Sequence, residues 1–353
     1  MRRTIIYILI MCGSLSGQAQ TKMTLRDCIE YALSHNISLE QRKLQEQNAE
    51  ISLETSRYSY LPNVSASVGQ GFGFGRSTGR DGSTVDQTSA NTSFNIGAQM
   101  PIFTGFRIQN QIKADRYSLK AASENLEKAK RDITVQVASY YLNALYYKGL
   151  TDIQRRQLEL DRDALAKAEA LVEAGRQPES EVANARAQVA MTEHSLTEAQ
   201  GNEIIARLDL IQMLNLDCDA ASFSIQELDT TNLLGDMPLP ETVFLTAVET
   251  HPMIMAAKYN LEASKHQEKV AKSGHYPTVS LSASYSNSYY HLYDSDFNQS
   301  LGKQLDLNGS EYLGLSINIP IFSGFSTRNS VRQARLNVLN NNWALEEARQ
   351  TLN

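Results

Sequence analysis

Four stretches of the chain alternate apolar with small polar residues. In Asn63–Phe74 the even positions are Val64, Ala66, Val68, Gln70, Phe72 and Phe74, and the odd ones are Asn, Ser or Gly. In Ser93–Ile102, Phe94, Ile96, Ala98, Met100 and Ile102 alternate with Ser93, Asn95, Gly97 and Gln99. Thr278–Tyr289 carries Val279, Leu281, Ala283, Tyr285 and Tyr289 between Thr and Ser residues. Tyr312–Ile321 carries Leu313, Leu315, Ile317, Ile319 and Ile321 between Gly314, Ser316 and Asn318. A period of two sorts residues onto opposite faces of a sheet, so four strands are expected.

Elsewhere the period is helical. Gly105–Ala174 has no Pro and one internal glycine, Gly149, and is dense in Ala, Leu, Glu, Lys and Arg. A helix of that span would run roughly 105 Å, too long for a globule and suited to coiled-coil packing. Gly175 fits a C-terminal cap, and Pro178 fits the first turn of a following helix. That next helix carries Val182, Ala185, Val189, Thr192, Leu196, Ala199, Glu203, Ala206, Leu210 and Met213 at three- and four-residue spacing. The pair reads as an antiparallel hairpin with its tip at Gly175–Ser180. Thr24–Tyr60 and Glu241–Ser273 are expected as single helices, and Asn215–Pro240 as a linker.

The pattern occurs twice. Pro101–Phe106 (PIFTGF) returns as Pro320–Phe325 (PIFSGF), 219 residues later. Arg57–Ser67 is echoed by Lys272–Ser282, and Ala32–Asn36 by Ala247–His251, both at an offset of 215. Each half therefore reads as helix, strand, loop, strand, long helix, the mark of an internal duplication. The expected organisation is a signal peptide (1–20), a first repeat (21–214), a linker (215–240) and a second repeat (241–353). The second copy reaches Asn353 in mid-helix, 28 residues after Phe325. Its hairpin is therefore expected to be incomplete, either because the chain is a fragment or because it is naturally truncated.

Arg2 and Arg3, the apolar Thr4–Leu15 and the small residues to Ala19 read as a secretory leader. A lipidated reading would need Cys12, but Met11 is bulky where a small residue is wanted. Beyond the leader no run of about 18 apolar residues occurs, so membrane crossing would have to be by strands. Each strand pattern is long enough for a tilted crossing, and Phe72, Phe74, Tyr285, Tyr289 and Tyr290 sit where interfacial aromatics belong. Four strands cannot close a barrel, and an open sheet edge in lipid leaves unpaired backbone groups. Three copies would give twelve strands. A soluble antiparallel sheet packed on helices is the alternative. The formal charge of −6 gives nucleic-acid binding little support. Cys28 and Cys218 make neither a disulfide framework nor a metal site. No nucleotide, nucleophile-elbow or zinc motif is present, so no catalytic residue, cofactor or metal is expected. Asp81, Asp86, His291, Asp294 and Asp296 in the inter-strand loops read as solvated.

Thr24-Leu-Arg-Asp-Cys-Ile-Glu-Tyr-Ala-Leu, Tyr60-Leu-Pro-Asn-Val, the two Pro-Ile-Phe-x-Gly-Phe copies and Glu173-Ala-Gly-Arg176 followed by Glu181-Val182 resemble, in that order, the TolC-type outer membrane efflux duct family. The resemblance implies an α+β membrane protein. Long antiparallel helical hairpins would form a coiled-coil barrel, and four strands per chain would enter a transmembrane β-barrel in a homotrimer. It implies a passive exit duct for efflux or type I secretion in the outer membrane of a Gram-negative cell, meeting a periplasmic adaptor and an inner-membrane pump. Gly175, Arg176, Gln177, Pro178 and Glu181 are then the candidate adaptor contacts. The candidate lipid-facing set is Val64, Val68, Phe72, Phe94, Ile96, Met100, Val279, Leu281, Tyr285, Leu313, Leu315, Ile317 and Ile319. The competing reading is a soluble periplasmic helical binding or scaffold protein.

Overall fold

The computed structural model describes residues 22–78, 82, 84–220, 222–228, 240–293 and 298–352. The leader, Cys12, the later part of the linker and the loop residues Asp81, Asp294 and Asp296 lie outside the described residues. In chain order the elements are β1 (Lys22–Met23), α1 (Leu25–His35), α2 (Ile37–Tyr58), β2 (Asn63–Gly73), β3 (Arg76–Thr78), β4 (Thr84–Asp86), β5 (Ser89–Thr104), α3 (Arg107–Glu173), α4 (Glu179–Leu214), β6 (Ser224–Ile225), α5 (Pro240–Thr250), α6 (Pro252–Lys272), β7 (Thr278–Leu292), α7 (Leu301–Leu307), β8 (Ser310–Asn318) and α8 (Ser326–Thr351). Two compact units form. One gathers the described residues of Met1–Lys43 and Leu126–Pro238, the other those of Leu44–Asn125 and Leu239–Asn353.

The first unit is helical. Its core joins Cys28, Ala32 and Leu39 to Ile133, Val137, Tyr141 and Ala144 of α3 and Ala206, Leu210, Ile211 and Leu214 of α4. The expected seam of α4 is largely the observed one, since Val189, Thr192, Ala199, Glu203, Ala206 and Leu210 are buried. Helix α3 runs unbroken through Gly149 for 67 residues. Burial pushes the Cys28 thiol up to about 11. The expected linker is partly structured: Phe223 and Ile225 enter the core, and β6 pairs in parallel with β1. Tyr141, at the centre, places its hydroxyl 2.5 Å from the Gln226 carbonyl and 3.1 Å from that of Met23, tying this strand pair to α3.

The two lead-in helices are each broken once, against expectation, at equivalent places. The Asn36 side chain accepts from Ser38 and Leu39 N–H groups, and His251 accepts from Met253 N–H. A side chain that caps a new helix end competes with continuation of the old one. Pro252 adds to the second break, because it has no N–H and disfavours helical geometry before it.

The second unit holds the sheet, ordered β2-β5-β7-β8 and antiparallel throughout. Its helical core is α6 on α8, through Ile254, Leu261, Leu345 and Ala348. Two loop features were not expected. The short hairpin β3–β4 extends the first inter-strand loop, and α7 occupies the second. Strand β7 extends beyond its pairing with β8, which stops at Ser286. Side-chain amides take over that bare edge: Asn308 donates to Ser288, Gln304 exchanges two bonds with Tyr290, and Asn298 exchanges two with Leu292. The amides do what a strand would, and the edge is covered without a strand.

Candidate transmembrane face and hairpin tip

The duplicated hexapeptide makes the same corner twice. Gly105 and Phe106 both have positive φ (60° and 65°), as do Gly324 and Phe325 (58° and 63°). Two consecutive left-handed residues turn a strand into a helix. In each copy the two phenylalanines stack edge to face, with centroids 5.2 Å apart for Phe103–Phe106 and 5.5 Å for Phe322–Phe325. The one residue that differs keeps its hydroxyl. Thr104 accepts from Ile108 N–H and Ser323 from Thr327 N–H, both at 3.4 Å.

Strand register sorts the face. Ile317, Val279 and Phe103 form one row, followed by Leu315, Leu281 and Met100, then Leu313, Ala283, Ala98 and Val64. Beyond them lie Tyr285, Ile96 and Ala66, then Phe94 and Val68. Five rows are four steps of two residues, roughly 27 Å along a strand. At a tilt of about 40° that is about 20 Å of height, near the apolar band of a membrane barrel. Leu313 is 74% and Val68 71% exposed, so nothing among the described residues covers this face there. Met100, Val279 and Leu281, in the middle strands, are half-buried by their neighbours. The opposite face carries Ser65, Ser67, Gly69, Ser93, Asn95, Ser282 and Ser284.

Three placements depart from the alternation. A bulge between Pro101 and Phe103 drops Ile102 from the ladder and sets Phe103 opposite Val279, so Phe103 joins the apolar rows. Ile319 lies past the last residue of β8, at the corner and not in the sheet. Phe72 lies above the band, because the row beneath it holds Gln70, hydrogen-bonded to Thr92, with Tyr289. Two polar residues also stand on the apolar side. Glu311 is opposite Tyr285, and the buried Asn287 is opposite Phe94. Asn287 is satisfied by the Leu305 carbonyl at 2.7 Å. Parity within the strand already puts both on that side, and pairing register adds what lies opposite them.

At the hairpin tip Gly175 N–H donates to Val172 and Arg176 N–H to Leu171, with Gly175 at φ 69°, a Schellman close to α3. Pro178 is the N-cap of α4 and not its first-turn residue, one position earlier than expected. Gly175, Arg176, Gln177, Pro178 and Glu181 are all exposed. Below the tip, Arg186–Glu169 (3.2 Å) and Arg162–Glu193 (2.7 Å) link the two helices. Asp161 accepts from Thr192, and that bond holds its carboxyl below the usual range.

Among the described residues no helix is long and apolar enough to cross a membrane, and no cluster of metal-ligating side chains occurs. Residues 28–216 and 245–353 match the family described as outer membrane efflux protein. The chain belongs to that family. Similar proteins include the outer membrane efflux protein BepC of Brucella suis, 22% identical over 333 residues that make up 93% of this chain and 67% of BepC. Another is the proteases secretion protein PrtF of Dickeya chrysanthemi, 23% identical over 95% of this chain and 71% of PrtF. Among solved structures, the CmeC outer membrane channel of Campylobacter jejuni superposes with a TM-score of 0.77 at 18% identity, over 93% of this chain and 67% of CmeC. The outer membrane protein VceC of Vibrio cholerae gives 0.72 at 17%, over 93% and 75%. Outer membrane efflux proteins are channels, and this chain is an outer-membrane channel of the efflux or secretion class, with a periplasmic helical part. Family membership favours the channel over the soluble scaffold.

Proposed function

We propose that three copies of the chain close a twelve-stranded barrel and act as a passive duct, with a periplasmic adaptor docking at the hairpin tip and an inner-membrane pump supplying the energy. The observation that carries this is the sheet: one face is apolar and uncovered, and β2 and β8 each have one unpaired side. Such a sheet is stable in lipid only when every edge finds a strand. The candidate lipid-facing residues are those of the five rows, and their Ser, Gly and Asn counterparts line the water-filled side. The duct performs no chemistry; its walls and gate are its mechanism.

The decisive experiment is the mass of the detergent-extracted, membrane-fractionated protein by light scattering. A trimer that needs detergent is expected, and a detergent-free soluble monomer overturns the barrel. For the tip, Arg176→Glu is expected to lower capture of the adaptor in a crosslinking assay while leaving the mass unchanged. Equal capture by both forms removes Arg176 from the contact.

A further inference from the structure

The helical unit holds a cleft of about 530 Å³ beside the β1–β6 pair. Three cations line it, Lys22, Lys148 of α3 and Arg207 of α4, against one carboxylate, Glu227. Lys148 holds Glu227 at 2.8 Å. Arg207 is anchored by Glu203 and reaches the Ala220 carbonyl at 3.4 Å. Lys148, then Lys22, keep the Glu227 carboxyl below its ordinary range, so the positive field reaches across the cleft. At its wall, Ser224 pairs with Lys22 in the strand register, while the next residue, Ile225, turns into the core. Among the described residues the Ser224 hydroxyl is the one buried side-chain polar atom without a hydrogen-bond partner. Its burial keeps it out of reach of the cleft, so recognition falls to the cations around it.

We infer that this cleft is a binding site for a small anion bearing a carboxylate or phosphate group. The Lys22 ammonium donates to its oxygens, and Lys148 and Arg207 stabilise its charge. Gln226 and Glu227 stand ready to accept from any donor the ligand carries. The cleft lies within the range usual for small-molecule sites, and its charged groups are held by fixed partners, so little reorganisation is needed on binding. It shares no residue with the sheet or the hairpin tip, and its occupancy does not depend on the channel reading.

The test uses the full chain in detergent at neutral pH. Thermal unfolding is followed in about 50 mM inorganic phosphate, in the same concentration of succinate, and in sodium chloride matched for ionic strength. At least one oxyanion is expected to raise the midpoint above the chloride value, and which one does so identifies the headgroup. Lys22→Gln and Lys148→Gln are each expected to abolish that rise, with affinity by calorimetry at least about tenfold weaker. Lys265→Gln, on α6, is the charge control and is expected to keep the rise. Equal midpoints in all three salts overturn the site, as does a rise that survives in both cleft variants. Should Lys148→Gln fail to fold, Lys22→Gln decides alone.

Discussion

Gly105 and Gly324 hold the same position in two copies of one motif and have nearly the same φ, yet their surroundings differ. A Cβ at Gly105 would lie 2.8 Å from the Tyr276 Cβ and 2.9 Å from the Ser273 carbonyl, whereas one at Gly324 meets nothing within 4 Å. Gly324→Ala should cost only the left-handed backbone term, about 1–2 kcal/mol. Gly105→Ala adds a backbone clash that no side-chain rotation relieves, and it should be clearly the worse of the two in thermal unfolding. Equal midpoints for the two variants would mean that Tyr276 yields freely. At this scale the sequence was informative where chemistry repeats: the Gly, the two phenylalanines and the Thr/Ser hydroxyl each have one job in both corners. It was silent where a residue's role depends on what lies across from it, as for Ser224, Asn287 and Glu311.

Among elements, α3 was legible from a long run of helix formers without Pro, and α4 from its 3/4 spacing, which leave no competing structure. The break at Asn36 was hidden, since a good capping residue inside a helix-forming stretch reads as an ordinary polar position; the one at His251 was signalled by Pro252, which starts a helix and disfavours one before it. Helix α7 was hidden for a different reason. It is seven residues long, and its key contacts are Gln304 and flanking Asn298 and Asn308 on a strand edge. Such a helix is stable only in place. Element contacts also set a pH dependence. Glu268 on α6 accepts from Lys272 (2.7 Å) and from Arg335 of α8 (3.2 Å), and these bonds hold its carboxyl below the usual value of 4.5. A depressed carboxylate contributes stability above its unfolded pKa and loses it as pH falls through the lower folded value. The α6–α8 pair should therefore weaken below about pH 4.5, and Glu268→Gln should flatten that part of a midpoint-against-pH profile. An unchanged profile would assign the acid sensitivity to other carboxylates.

For the molecule as a whole, the five apolar rows make a claim about depth. Leu315 stands in the second row and Ser316 on the opposite face. Leu315→Arg should reduce the folded, heat-resistant oligomer recovered from membranes, by an amount equivalent to about 2–4 kcal/mol if the row lies near the midplane. Ser316→Arg should leave recovery nearly intact, because its side chain meets water. Comparable losses for the two would mean that the faces are wrongly assigned. Alternation made the faces legible from sequence, but the order of strands was not: nothing local says that β5 neighbours β7.

That neighbourhood has a consequence in time. The longest ladder in the sheet joins β5 to β7, segments roughly 170 residues apart in the chain, and it is also the least local pairing of that sheet. At synthesis rates of about 5–20 residues per second, β5 is complete roughly ten to forty seconds before its partner exists. Helix α3 forms from neighbours alone and need not wait. The duplicated architecture therefore imposes a schedule on the newborn chain. Its helical segments are ready first, while two strand segments pass the interval unpaired and must be kept from strangers until the second copy of the motif arrives.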